Sequence, residues 1–156
     1  MLEEINFLEI EEKKEYIKTI NKVLETCFKE EKLENSNLYI NVVLTNPENI
    51  RKLNKEYRNI DKETDVLSFP MFEKEELASL KLEHEDVLGD IVISIERVKE
   101  QAEEYVHSFE REFSYMLVHG FYHLLRVWPY WRNRQSRNEE KRRTYFKFIR
   151  YKKVGE

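Results

Sequence analysis

The residues with the clearest chemical potential are two histidines four positions apart, His119 and His123. On a helix this spacing puts both imidazoles on one face about one turn apart, which suits two ligands of one metal ion. Neutral imidazole is the commonest ligand of zinc in such sites. Histidines at this spacing also occur in helices without any metal, in the core or on the surface. The pair therefore predicts two-thirds of a zinc site, with a metal-free role as the alternative.

Gly120 stands between the two histidines. A glycine inside a helix costs about 1 kcal/mol relative to alanine, which is easier to understand if another group approaches the backbone closely there. Zinc peptidases of the His-Glu-x-x-His type carry their general base at this position. Since the sequence has Gly120 instead, a peptidase of that type is disfavoured.

The histidines must be positioned by the segment 109–125, which is apolar on nearly every side and predicts a helix buried in the core. Two histidines without partners in a core would be costly, and this favours the metal. The other elements that hydrophobic periodicity and turn signals predict are an edge strand at 3–9, a helix at 11–32, a strand at 37–45, a helix from Asn46 to Arg58, a strand at 65–70, a loop at 71–86, a strand at 88–95 and a helix at 95–106. This order predicts an α+β domain, a small mixed sheet of about four strands packed with helices.

Length and composition set broad limits. A chain of 156 residues with 40% hydrophobic residues predicts one domain with a real core. The single cysteine, Cys27, reads as a buried small hydrophobe, so no disulfide framework is expected and a reducing compartment is favoured. The first residues lack a signal-peptide pattern, and no apolar run reaches the ~18 residues of a membrane span. The expectation is a cytoplasmic protein with no membrane partner.

Charge is distributed unevenly along the chain. Residues 1–125 carry 16 Lys and Arg against 28 Asp and Glu, a balance of −12, whereas residues 126–156 carry 11 against 3, a balance of +8. A break this sharp marks a boundary, a nucleic-acid-binding tail or an artefact. The chain is accordingly divided into a domain at 1–125 and a basic tail at 126–156.

Several motifs between residues 50 and 125 resemble those of the YbeY family of bacterial zinc-dependent endoribonucleases. They are IRKLNKEYR (50–58), TDVLSFP (64–70), LGDIVIS (88–94), HSFEREF (107–113) and HGFYHLL (119–125). The resemblance implies a zinc-dependent, single-strand endoribonuclease that acts in small-subunit rRNA maturation and ribosome quality control. It also implies rRNA and the small ribosomal subunit as partners, with a ribosomal protein or an assembly GTPase as further candidates.

The family signature is His-Gly-x-x-His-Leu-x-Gly-Tyr-Asp-His, and its three histidines bind zinc. By resemblance, His119 and His123 are the first two ligands, and the third falls at position 129, where this chain has Pro129. Three histidines would leave one position open for a water whose pKa zinc lowers to about 7. Without the third ligand, we expect weakened or absent zinc binding and little nuclease activity in this chain.

Two further residues are candidates for the site by the same resemblance. Arg58 aligns with an arginine that the family uses at its active site, and a guanidinium can grip the scissile phosphate with two hydrogen bonds. The alternative is an ordinary surface arginine. Ser68, at the end of a predicted strand, is expected to line the cleft or to cap that strand. Asp90 is expected to form a structural hydrogen bond. His107 is expected to be structural and His84 a surface residue.

The match to the family stops at residue 126, where the charge balance also changes sign. We hypothesise that the tail is a frameshifted reading of an ordinary family C-terminus. Reading from the second base of codon 126 allows Gly-Tyr-Asp-His and a continuing family-like sequence, provided that Trp128 and Trp131 are encoded by TGA. The alternative is a genuine tail whose arginines and aromatic residues form an RNA-binding arm.

A second class of function stays open from the sequence. The acidic balance of residues 1–125 suits a basic protein partner better than naked RNA. A non-catalytic ribosome-assembly factor that binds rRNA or a ribosomal protein is therefore the alternative to the nuclease.

Overall fold

A computed structural model describes residues 3–79 and 85–126. In this part of the chain the strands and helices follow in the order β1 (Glu3–Phe7), α1 (Lys14–Glu30), β2 (Leu38–Thr45), α2 (Pro47–Arg58), β3 (Val66–Pro70), α3 (Lys74–Ala78), β4 (Asp86–Ser94), α4 (Ile95–Glu104) and α5 (Phe109–Leu124).

The four strands form one mixed sheet in the order β1-β2-β4-β3. Strand β2 pairs in parallel with both β1 and β4, while β3 pairs antiparallel with β4. The predicted α+β fold with a small mixed sheet is therefore confirmed, and β3 lies at one edge of the sheet. Between residues 3 and 79 and between 85 and 126, no further strand pairs with its outer backbone groups.

The sheet is covered on both faces because side chains alternate along each strand. One face carries Ile40, Val42, Ile91 and Ile93 into the main core, which α1, α4 and α5 complete. The opposite face carries Val43, Leu67, Phe69 and Val92 into a smaller cluster beneath Ile50 and Leu53 of α2. Helices α5 and α2 consequently lie on opposite faces of the same β3–β4 edge.

The start signal predicted for α2 is present in the structure. The Asn46 side chain accepts a hydrogen bond of 2.8 Å from the backbone N–H of Asn49, and Pro47 occupies the first turn. Helix α5 begins in the same way at Ser108, whose hydroxyl accepts from the N–H of Arg111 at 3.1 Å. These caps fix the residue at which each of the two helices that flank β3 begins.

The prediction of a continuous loop over 71–86 is wrong in one respect, because α3 forms a short helix at Lys74–Ala78. The Glu76 carboxylate accepts a hydrogen bond of 3.0 Å from the backbone N–H of Glu73, which holds the first turn. Glutamate is not a preferred N-cap residue, so the start of this helix carries no strong sequence signal.

Two other predictions concern the cysteine and membrane-spanning segments. Cys27 is fully buried, as predicted, and burial raises the pKa of its thiol. Within residues 3–79 and 85–126, no helix combines the length and the hydropathy that a membrane span requires.

Candidate functional site

Helix α5 is buried along almost its whole length, and the two histidines are the exceptions. From Arg111 to Leu124 every residue is buried except His119 and His123, which are half-buried. Since both open positions in this stretch are histidines four residues apart, the imidazoles share one accessible stripe of the helix. The ring of His119 also stacks on that of Tyr115, with 6.5 Å between centroids.

The C-terminal end of α5 is anchored by Arg126, which directly follows the C-cap residue Leu125. The Arg126 Nε donates to the carbonyl oxygen of Phe72 at 3.2 Å, and its Nη2 lies 3.5 Å from a carboxylate oxygen of Glu73. Phe72 and Glu73 follow directly after β3. The C-terminal end of α5 therefore lies beside the segment that follows β3, and α5 packs against β3 itself.

The neighbouring stripe of α5 packs directly on the sheet. A Cβ atom at Gly120 would lie 2.8 Å from Cγ2 of Ile91, and one at Gly89 would lie 2.7 Å from Cδ2 of Leu124. The group that approaches Gly120 closely is thus the Ile91 side chain in β4. Glycine lets the turn between the two histidines sit directly on the sheet.

Ser68 lies beside this contact, paired with Ile91 across the β3–β4 ladder. Its neighbour Val66 packs into the core under α5, whereas Leu67 and Phe69 pack under α2. By alternation the buried Ser68 side chain is directed to the face of the sheet on which α5 packs. Ser68 occupies the middle of β3 rather than its end, so its alternative role as a strand-end cap is wrong.

Arg58 ends α2 and reaches β3 from the opposite face. Its Nη2 donates to the backbone carbonyl of Ser68 at 3.0 Å, and its Cζ lies 5.9 Å above the ring centroid of Phe69. The residue itself is exposed. A guanidinium has five N–H donors, and one serves this edge carbonyl. The structure thus brings Arg58 and helix α5, which carries the two histidines, to the two sides of one edge strand.

The donor chemistry of the histidine pair fits zinc, but the described residues do not complete a site. A catalytic zinc requires three protein ligands, and no cluster of three His, Cys, Asp or Glu residues exists between 3 and 79 or between 85 and 126. The position expected for a third ligand, Pro129, lies outside the described residues, as does the basic tail beyond Arg126. Among the described residues, the two imidazoles predicted as zinc ligands share one face of α5, and their metal role stays a prediction.

Tyr122, next to His123, has a different role from the histidines. Burial raises the pKa of its hydroxyl far above the ordinary range, and a hydrogen bond with Glu31 raises it further. Its ring packs edge-on against Phe121 inside the core, with 5.0 Å between centroids. Tyr122 therefore stays a neutral structural group beside the histidine stripe.

Asp90 forms the structural hydrogen bond that was expected of it. The side-chain amide of Asn41 in β2 donates to its Oδ1 at 2.9 Å across the β2–β4 ladder. His107 lies just before α5, where its backbone N–H donates to the carbonyl of Ala102. His84 lies outside the described residues.

Sequence reasoning missed Tyr57, the residue before Arg58. Its side chain is 64% exposed, and its ring contacts Phe69 at 5.4 Å between centroids with an interplanar angle of 62°. The tyrosine lies in a strongly polar helix, so periodicity does not single it out. Only its position beside Arg58, at the end of the helix, could have drawn attention to it.

Comparisons with known proteins show similar sequences. The sequence profile of the family described as Endoribonuclease YbeY matches residues 3–127. A protein of Fusobacterium nucleatum named Endoribonuclease YbeY is 52% identical over 96 residues, which cover 61% of this chain and 57% of that protein. A protein of the same name from Bacillus thuringiensis is 44% identical over 117 residues, 74% of each chain.

A solved structure is also similar to this chain. The solution structure of a Thermotoga maritima protein matches with a TM-score of 0.58 and 27% identity, over 94% of this chain and 89% of that protein. The fold is thus shared with an experimentally determined structure. The chain spans 57% of the length of the Fusobacterium relative, so what that whole protein does is not carried over by similarity alone.

Proposed function

Because the chain belongs to the YbeY endoribonuclease family, we propose that it derives from a zinc-dependent endoribonuclease that cuts single-stranded RNA in small-subunit rRNA maturation and ribosome quality control. The observation that carries the proposal is the placement of His119 and His123. They are the two accessible positions in the buried stretch of α5, and α5 packs against β3, the strand to which Arg58 is anchored. A hydrolase of phosphodiester bonds needs a cationic grip on phosphate beside its reacting centre.

Arg58 is the residue to which we assign that grip. Its hydrogen bond to the Ser68 carbonyl uses Nη2 and restricts the guanidinium to the β3 edge. The remaining N–H groups can then take two oxygens of one phosphate in parallel hydrogen bonds. Strand alternation directs Ser68 to the α5 face of the same strand, which supports a place for it in the site. Its role is to line the cleft between the arginine and the imidazoles.

The two imidazoles are the groups to which we assign zinc, together with a third ligand from the family C-terminus. When bound, zinc supplies a Lewis acid and an acidified water for hydrolysis. In this chain Pro129 stands at the third position. We therefore propose that zinc binding is weakened or lost here, and that this chain has little nuclease activity.

The distribution of charge favours one alternative function. Residues 1–125 carry a balance of −12, which disfavours unaided binding to naked RNA. A non-catalytic assembly factor in the cytoplasm, which binds rRNA, a ribosomal protein or an assembly GTPase on the small subunit, would tolerate an incomplete zinc site. In that case His119→Ala would leave the cellular role intact.

Two chains compared side by side test the proposal. The first is the chain as printed, and the second has residues 126–156 replaced by the reading that begins at the second base of codon 126. Incubated with single-stranded RNA and zinc, the second chain is expected to cut, and the first to cut weakly or not at all. His119→Ala in the second chain is the matched control and should abolish cutting. Cutting that survives His119→Ala would overturn the nuclease assignment.

A further inference from the structure

The last turn of α2 presents two different recognition groups that share one support. The Tyr57 ring lies 5.4 Å from the Phe69 centroid, and the Arg58 guanidinium carbon lies 5.9 Å from the same centroid. The Tyr57 ring and the Arg58 guanidinium thus both contact the ring of Phe69 in the edge strand β3. We call Tyr57, Arg58 and Phe69 the α2 platform.

The Tyr57 ring is available to a ligand. It is 64% exposed, and the 62° angle to Phe69 means that the two rings are not stacked face to face. Phe69 itself packs into the small cluster beneath α2, so the support is held by the core. One exposed aromatic residue is unremarkable on a protein surface. Its pairing with an anchored arginine is what gives the position a chemical meaning.

Charge around the platform suits an anion. Helix α2 carries four basic and two acidic side chains, within a region whose overall balance is −12. Arg51 and Lys55 of this helix lie 2.8 and 4.0 Å from Asp61, and Lys52 lies 3.5 Å from Glu48. Arg58 instead uses one N–H for a backbone carbonyl. The charge of Arg58 is therefore the least compensated along the helix by any pairing among the described residues.

We propose that Tyr57 is a stacking residue for a nucleobase of the RNA whose phosphate Arg58 holds. This inference rests on the proposed function and adds the way in which the substrate is recognised. Bases stack on exposed aromatic rings without strong sequence preference, since every base has a π face. A base can reach the ring only after leaving its own helical stack, as in single strands, loops and ends. The platform therefore selects unpaired RNA and reads its sequence weakly.

Binding to a short fluorescent single-stranded oligoribonucleotide tests this, measured by anisotropy with EDTA present so that cleavage does not interfere. The full chain is used, so the basic tail contributes equally to every variant. Tyr57→Ala is expected to weaken binding about 5- to 150-fold, the range for loss of one base–aromatic stack. Tyr57→Phe keeps the ring and should bind within about twofold of the parent on the same grounds. Tyr57→Leu keeps apolar area without a π face and should behave like Tyr57→Ala.

Two controls make the outcome decisive. Tyr105→Ala removes another exposed aromatic side chain, one at the end of α4, and should leave binding unchanged. An oligoribonucleotide with abasic sites should bind the parent and Tyr57→Ala equally. If the parent binds RNA and Tyr57→Ala binds as well, the stacking role is overturned while the proposed function stands. If the parent binds no single-stranded RNA, the proposed function is contradicted, and the stacking role with it.

Discussion

Helices α5 and α2 lie on opposite faces of the same sheet edge and present their candidate functional groups in opposite ways. From Arg111 to Leu124, α5 is buried except at His119 and His123. Helix α2 is mostly exposed, since only Ile50 and Asn54 are buried. Its candidate functional residues therefore lie among many other exposed polar residues. On the buried helix, exposure singles out the site. On the exposed helix, contacts with the edge strand are needed to find it.

Because of this difference, substitutions in the two helices should affect different properties of the protein. Helix α5 touches the sheet so closely that its position depends on two glycines, Gly89 and Gly120. Helix α2 contacts the edge through the long side chains of its last turn. Substitutions on the α5 side should therefore act mainly on folding stability, and those at the end of α2 mainly on ligand binding.

The largest loss of stability is expected at Gly89. Its φ of +152° disfavours any side chain, and an added Cβ would clash with the Phe69 carbonyl oxygen and lie 2.7 Å from Leu124 Cδ2. Because the Phe69 contact is to backbone, Gly89→Ala should cost about 3 kcal/mol or more of unfolding free energy. Urea denaturation measures this. A cost below about 1 kcal/mol would mean that α5 is not held so tightly against the β3 edge.

Arg58 should show the opposite behaviour. Arg58→Ala removes charge-assisted hydrogen bonds to phosphate worth about 1.5–3 kcal/mol, or roughly 10- to 150-fold in affinity for single-stranded RNA. Arg58→Lys keeps the charge but loses the bidentate fork, so it should recover only part of that affinity. Both are measured by anisotropy, with thermal unfolding as the control for folding. If the parent and Arg58→Ala bind single-stranded RNA with equal affinity, Arg58 has only a structural role as a donor to the Ser68 carbonyl.

Gly120 should have a smaller effect than Gly89 because its neighbour is a side chain. Gly120→Ala brings a Cβ within 2.8 Å of Ile91 Cγ2 and 3.0 Å of Cδ1, in a helix that otherwise prefers alanine. The expected net cost is about 1–2 kcal/mol. Ile91→Val removes Cδ1 and should relieve part of this cost in the double variant. Strict additivity in the double-mutant cycle would show that the two residues do not press on each other.

These contacts also show which parts of the molecule the sequence could predict. Apolar periodicity and the Asn46 cap were sufficient for α1, α2, α5 and the mixed sheet, since local pattern decides such elements. The histidine pair follows from spacing within one helix. The platform at Tyr57 joins residues 57 and 69 across two elements, and the close approach at Gly120 joins residues 120 and 91. Long-range pairs of this kind require the topology, which one sequence does not contain.

The smallest effect is expected at the ion pair just beyond the platform. The hydrogen bond from Arg51 holds the pKa of Asp61 below its ordinary value of 3.8. A carboxylate with a lowered folded-state pKa contributes stability above its ordinary pKa and loses it as pH falls through the lowered value. Asp61→Asn should therefore remove a slight acid-side dependence of stability and change nothing at neutral pH beyond the loss of an exposed pair. Thermal unfolding between pH 2 and pH 7 checks this, and an unchanged acid-side slope would contradict it.

The most direct test of the account is zinc binding, because the central claim is that the accessible histidines of α5 form a metal half-site. Zinc is titrated against a chromophoric chelator for the printed chain and for the chain whose tail is read from the second base of codon 126. We expect one tightly bound zinc in the second chain, and we expect it to be lost in His119→Ala and His123→Ala. The first chain should bind zinc at least about 10-fold more weakly, because loss of a residue that only hydrogen-bonds a ligand already lowers metal affinity about 10- to 100-fold. Stoichiometric zinc in the printed chain that survives both histidine substitutions would contradict it.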